Sequence, residues 1–173
     1  MRRREREITD KATIEKIISL CRVCRVGLYD GSAPYVVPVN FYYSEGTVYF
    51  HSAGSGKKIE CVKSGGAVAL EWDIPGDLLT AEKPCDSGFE YVSVIAAGRP
   101  FFIESDGEKA RILTALTARY FEAPGSAGYR GPVSPRSVGG TAVVGIELDE
   151  LTGKASSEEF LSAVLDGSQG PEK

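Results

Sequence analysis

The chain has 173 residues, 42% of them apolar and 25% charged, with a net charge of −4. These values suit a soluble globular protein with a real core. They argue against a general nucleic-acid binder, which would carry a basic surface. No window reaches the roughly 18 apolar residues of a membrane span. The start, MRRRERE, holds four arginines in its first six residues, with glutamates interleaved and no apolar run behind them. It reads as a solvated basic arm over residues 1–8, not a signal peptide. A cytoplasmic location is expected.

Thr9-Asp10 can cap a helix whose apolar residues Ile14, Ile17, Ile18 and Cys21 keep a helical period. Cys24, Val26 and Leu28 then alternate with Arg25, Gly27 and Tyr29, a strand closed by the turn signal Asp30-Gly31. PYVVPVNFYY (34–43) reads as a second strand and TVYFHS (47–52) as a third. Pro38 cannot donate to a ladder, so it marks an edge, a bulge or a ligand approach. Ser55 can cap a short helix, KKIECVKSG. AVALEWD is a fourth strand, residues 74–88 are loop-like, and FEYVSVIAAGRPFFIES is a long fifth strand bent near Gly98-Arg99-Pro100. Ser105 and Glu108 form a capping box for a helix to about Phe121, with Ala110, Leu113, Leu116, Thr117 and Tyr120 inward. Residues 123–140 are rich in Gly, Pro and Ser and read as a loop in which Tyr129 and Arg130 are solvated. TAVVGIELDEL is the sixth strand. Ser156 with Glu159 starts a last helix, and 167–173 is a frayed tail.

Six short strands with helices at the turns predict a mainly β protein, an antiparallel barrel with helices packed at its ends. A doubly wound parallel fold would need crossover helices that the first three strands lack. Residues 1–173 are expected to form a single domain. The four cysteines, at 21, 24, 61 and 85, are expected to be reduced thiols. Cys21 and Cys24 have a metal-like spacing but no second close pair, so a structural role is expected and no metal site is predicted.

The stretch YFHSAGSGKKIE (49–60) carries the sole histidine, His51. Alternation puts Tyr49 and His51 on one face of the third strand, Phe50 and Ser52 on the other. The chain then leaves the sheet and starts a helix near Gly56-Lys57-Lys58. Helix-terminal N–H groups, two lysines, the Ser52 and Ser55 hydroxyls and close-approach glycines make a phosphate cradle. The spacings of a Walker loop and of a dinucleotide fingerprint are both absent. On pattern alone the same segment is also an ordinary surface connection, and a lone histidine is more often structural than catalytic.

The pieces MRRREREITD, CRVGLYDGSAPYVVPVNFYY, GTVYFHSAGSGKKIE, VALEWD and CDSGFEYVSVIAAGRPFFIES occur in an order that resembles the pyridoxamine 5′-phosphate oxidase-like, FMN-binding split-barrel flavoproteins. Over residues 1–121 the chain looks most like the 5-nitroimidazole-resistance branch. The resemblance implies a six-stranded split β-barrel and a homodimer with FMN at the interface. It implies phosphate contacts from Ser52, Lys57 and Lys58, and ring contacts from the Pro38, Val39, Asn40 and Phe41 backbone. His51 would lie at the flavin as the candidate catalytic residue, and Glu71, Trp72 and Ser93 would be contributed by the partner subunit. It implies a nitroreductase-type oxidoreductase passing electrons, from a donor such as NAD(P)H, to a small acceptor. Alternatives are a non-catalytic flavin-binding or sensing protein, the same fold using a deazaflavin or haem, and a purely structural domain. The second strand lacks the arginine and lysine of the oxidase proper, and the end DGSQGPEK lacks its substrate-phosphate residues. Pyridoxamine-phosphate oxidation is therefore not expected.

Overall fold

The computed structural model describes residues 3–121 and 131–170. In chain order these form β1 (Glu7–Ile8), α1 (Lys11–Leu20), β2 (Cys24–Tyr29), β3 (Pro34–Val39), β4 (Tyr42–Ser44), β5 (Thr47–Ala53) and α2 (Lys57–Lys63). β6 (Val68–Leu79), β7 (Gly88–Phe102), α3 (Asp106–Phe121), β8 (Thr141–Ala155) and α4 (Glu158–Asp166) follow. The strands run in the order β3-β2-β6-β7-β8-β5-β4, with β1 paired to β8 off that path. The protein is mainly β, an open antiparallel sheet with peripheral helices, as expected.

The sheet has eight strands where six were predicted. One extra strand is β1, inside the predicted basic arm, with Glu7 opposite Lys154 and Ile8 opposite Gly153. The other comes from PYVVPVNFYY, which is two strands. β3 ends the strand order on one side and β4 on the other, and Asn40-Phe41 alone joins them. Pro38 thus sits in an edge strand, opposite Arg25, where its missing N–H costs little. The predicted loop 74–88 is shorter than expected, because β6 continues to Leu79 and a 3-10 turn covers Pro84–Asp86. Of the 123–140 segment, residues 122–130, with Tyr129 and Arg130, lie outside the described residues, as do 171–173 of the tail.

The chain divides into two compact units. One comprises Met1–Arg22, Glu71–Ala96 and Glu150–Lys173. Asp10 caps α1 there by accepting the Thr13 N–H at 2.7 Å, and Ile14, Ile17 and Ile18 are buried as their period requires. Trp72, Ile74, Val92, Val94 and Phe160 complete its core. Ser157, not Ser156, caps α4. Ser156 instead bonds β7, its N–H donating to the Tyr91 carbonyl at 2.8 Å and its Oγ accepting from the Tyr91 N–H at 3.1 Å.

The other unit comprises Val23–Leu70 and Ala97–Asp149. Cys24, Val26 and Leu28 of β2 point inward, joined by Val48, Phe50, Ile59, Leu70, Val144 and Ile146. Burying a side chain such as Phe50 stabilises the fold by about 1.5–3 kcal/mol. In α3 the buried positions are Ala110, Ile112 and Leu116, so Ile112 takes the inward place expected of Leu113. Leu113 is only partly buried, beside the cluster of Ile103, Ile112 and Val143.

Candidate functional site

The corner between β5 and α2 is built by local pattern. Val48 and Phe50 are fully buried, which turns Tyr49 and His51 to the opposite face, as alternation predicts. His51 lies opposite Val143 of β8, and Ser52 opposite Ala142. Tyr49 packs on the Ile103, Ile112 and Val143 cluster, while His51 stands exposed beyond it. Ser52 is half-buried.

α2 is anchored by Ile59, Cys61 and Val62, all buried. Its cap is Gly56, at φ 109° and ψ 168°, with no side-chain cap bond. Ser55 therefore does not cap the helix, contrary to expectation. The left-handed φ favours glycine, and a Cβ at Gly56 would meet nothing within 4 Å. The backbone is bare there, as close approach of a ligand demands.

The two lysines have different partners. Lys57 Nζ lies 2.8 Å from Asp30 Oδ2 and 5.0 Å from the Tyr35 ring centroid. Asp30 also accepts from the Ala33 N–H at 2.7 Å, and from the Ser32 N–H and Ser32 hydroxyl, each at 2.8 Å. Lys57, then Ala33 and Ser32, hold the Asp30 carboxyl far below the ordinary aspartate range, and Asp30 raises the Lys57 pKa in turn. Lys58 Nζ sits 5.4 Å from the Phe50 ring centroid, and its pKa is lowered by burial. His51 is held below its ordinary value, first by desolvation and then by the charge of Lys58. The charge of Lys58 thus bears on His51, while Lys57 is tied to the β2–β3 turn.

The Pro38–Phe41 segment alternates as well. Pro38 and Asn40 are exposed, Val39 and Phe41 buried. Tyr120 of α3 holds the link between the edge strands. Its hydroxyl accepts from the Phe41 N–H at 3.0 Å and donates to the Phe41 carbonyl at 3.3 Å, and the Arg119 guanidinium lies 4.6 Å from the Phe41 ring centroid. Pro38 to Phe41, His51, Ser52, Lys57 and Lys58 all belong to one unit; Glu71, Trp72 and Ser93 belong to the other. Glu71 and Ser93 are half-buried, and the Trp72 side chain is fully buried.

Sequence reasoning missed Asp30, Tyr35 and Tyr120. Asp30 was legible only as a turn residue and Tyr120 only as a packing residue, since their second roles depend on distant neighbours. Cys21, Cys24 and Cys61 are buried thiols and Cys85 is exposed. Among the described residues no cluster of His, Cys, Asp or Glu suits a metal ion, and no helix is long and apolar enough to cross a membrane.

An open antiparallel sheet with edge strands joined through two residues, and a glycine-led lysine corner on β5–α2, defines the split-barrel class. The family model described as pyridoxamine 5′-phosphate oxidase matches residues 10–155. The chain belongs to that family. It is similar to a protein of Bacteroides thetaiotaomicron described as a 5-nitroimidazole antibiotic resistance protein, with 31% identity, 86% of each chain covered and a TM-score of 0.70. It shares its fold with a flavocytochrome from Azotobacter vinelandii (22% identity, 91% of this chain and 74% of that one, TM-score 0.74). The FAD and haem binding protein of Mycobacterium smegmatis has the same fold (19% identity, 89% and 74%, TM-score 0.76). No curated protein matches the chain.

Proposed function

We propose that the protein is an FMN-binding flavoprotein that works as a homodimer, residues 1–173 acting as one flavin-binding domain, and that it is an oxidoreductase of nitroreductase type. The observation that carries this reading is the β5–α2 corner: a half-buried Ser52 hydroxyl, the bare backbone at Gly56 and the partly desolvated Lys58 beside the sole histidine. These groups fit a terminal phosphate, which wants N–H donors, a hydroxyl and a cation with little else to neutralise. Lys58 is the cation in this assignment, and Lys57 supports it by fixing the neighbouring turn through Asp30. The segment Pro38 to Phe41, exposed at Pro38 and Asn40, would present its backbone to a flavin ring, with the Phe41 N–H and carbonyl held in place by Tyr120. Glu71 and Ser93 are offered by the second subunit with their side chains; Trp72, whose indole is in its own core, contributes backbone only.

Bound FMN would supply the redox chemistry. His51, neutral near pH 7 because desolvation and Lys58 disfavour its charge, would hold a hydrogen bond to the flavin or to a small acceptor such as a nitro compound. The likeness to the Bacteroides thetaiotaomicron resistance protein supports the choice of acceptor.

The test is the visible spectrum of the purified protein after FMN addition and desalting, followed by NAD(P)H oxidation with a nitroimidazole. A retained flavin band with acceptor-dependent turnover is expected. A band without turnover would leave a flavin-binding or sensing protein, and no band would end the FMN reading. A second reading, haem ligated by His51, is favoured by one observation: the sole imidazole is exposed and kept neutral, as an axial ligand must be. A Soret band after haem addition, lost in His51→Ala, would identify it.

A further inference from the structure

One cleft is not used by the chemistry above. It lies beside α2, the end of β7 and the start of β8, and has a volume of about 360 Å³. Every residue that lines it belongs to one unit, and Ser52, Lys57 and Lys58 are not among them. Ile59, Ile103 and Val143, all buried, provide an apolar floor. Its charged lining residues are Lys63, Lys109 and Glu104. Two cations and one carboxylate line it, and a second carboxylate, Asp106, stands outside the lining.

Lys109 makes the cleft more than a surface dent. Only 15% of its side chain is exposed, and its ion-pair partner among the described residues, Asp106 Oδ1, is 3.8 Å away. That is too far for a hydrogen bond, and Asp106 does not line the cleft. An ammonium held by so long an ion pair gains from a closer anion that can make a charge-assisted hydrogen bond. A Cβ on Gly139 or Gly140, both in the lining, would meet nothing within 4 Å among the described residues.

We propose that this cleft binds a small organic monoanion: a carboxylate, held by Lys109 and Lys63, on an apolar body of aryl size that lies on Ile59, Ile103 and Val143. A doubly charged phosphate would leave at least one charge uncompensated, and a neutral apolar molecule would leave Lys109 as it is. The volume falls within the usual range of small-molecule sites.

The test uses 2-naphthoate and its neutral isostere 2-naphthamide, titrated into the purified protein and followed by the amide shifts of Ile103, Thr141 and Val143. Saturable naphthoate binding is expected, with naphthamide weaker by about tenfold or more, the worth of one charge-assisted contact. Lys109→Met should weaken naphthoate by a similar factor. Gly140→Val should crowd the cleft and weaken binding while leaving the thermal midpoint unchanged, since a Cβ there meets nothing within 4 Å among the described residues. Lys58→Ala should leave naphthoate binding intact, which separates this cleft from the flavin corner. Equal binding of acid and amide, no saturation by about 10 mM (about 2.7 kcal/mol by affinity arithmetic), or loss in Lys58→Ala but not in Lys109→Met would each overturn the proposal.

Discussion

Lys57 Nζ and Asp30 Oδ2 stand 2.8 Å apart, joining the first turn of α2 to the β2–β3 turn across 27 positions of sequence (57 − 30). Adjacent lysines on one short helix therefore do different work. Lys57 already has a carboxylate and the Tyr35 ring, whereas Lys58 lies over Phe50 with its charge partly desolvated. If FMN phosphate binds at this corner, Lys58→Ala should weaken it by about ten- to a hundredfold, as loss of a charge-assisted hydrogen bond predicts. Lys57→Ala should weaken it by clearly less. Fluorescence titration of FMN against both variants decides; equal losses would show that the Asp30 pair opens to release Lys57.

The same pair predicts an acid-sensitive turn. Asp30 has a folded pKa below its ordinary value of 3.8, with Lys57 the largest cause. A carboxylate of this kind contributes stability that is fully present above the unfolded pKa and is lost as pH falls through the folded one. Between pH 7 and about 5 this contribution should be complete, and below about 4 it should fall progressively. Urea midpoints of the wild type and of Asp30→Asn against pH measure this, and the amide shifts of Ser32 and Ala33, whose N–H groups bond Asp30, should hold until the folded carboxyl itself takes a proton. Asp30→Asn should move those shifts already at neutral pH.

How much of this was readable from the chain depends on the range of each interaction. The corner at 49–60 was legible because alternation in β5 and the burial of Ile59 and Val62 are set by neighbouring residues. PYVVPVNFYY gave no sign that it would split, because β3 pairs with β2 while β4 pairs with β5, and that choice is made elsewhere in the fold. Residues 74–79 looked like a loop because Pro75 and Gly76 are breakers in isolation. In the fold Gly76 is needed inside β6: a Cβ there would fall 2.5 Å from the Phe160 ring and 2.7 Å from the Glu90 Cβ. Likewise the split between Lys57 and Lys58 rests on Asp30, which local spacing marked only as a turn.

Gly98 and Gly145 separate two kinds of tight contact. A Cβ on Gly98 would meet the Glu147 carbonyl oxygen at 2.3 Å and the Ile146 Cγ2 at 2.9 Å. One of these is backbone, so β7 and β8 would have to part. The three atoms nearest a Cβ on Gly145 would all belong to the Phe101 ring, the first at 2.4 Å, and Phe101 is a side chain, 41% exposed, rather than backbone. Gly98→Ala should therefore cost about 2–4 kcal/mol, in the range of overpacking with backbone displacement, and Gly145→Ala about 1 kcal/mol or less. Urea midpoints at constant slope measure both, and the reverse ranking would refute this account.

Tyr120 is the next test, since its hydroxyl meets both backbone groups of Phe41. Tyr120→Phe keeps the ring and removes two hydrogen bonds, so it should cost about 1–2 kcal/mol. Because Asn40-Phe41 is the link between the edge strands, the loss should appear as faster amide exchange at Phe41 and Tyr42 before any global change. Uniform protection in the variant would mean the link is held by packing alone.

His51 offers the cleanest measurement, because it is the sole histidine of the chain and its ring proton gives one resolvable resonance. Its pKa lies below the ordinary 6.5, through desolvation first and Lys58 second. Removing the second cause should move it back part of the way, so Lys58→Met should raise the His51 titration midpoint while Lys57→Met leaves it nearly unmoved. The sign for stability follows. A histidine with a depressed folded pKa binds fewer protons folded than unfolded, so folding weakens as pH drops from 6.5 through the folded value and is unaffected by this group above about pH 7.5. Flavin binding adds a further expectation. A phosphate dianion at Lys58 would offset the charge that disfavours the imidazolium, so FMN should shift the His51 midpoint upward in the wild type and much less in Lys58→Met. A midpoint that ignores both Lys58 and FMN would place His51 electrostatically apart from the corner and leave it no part in the proposed chemistry.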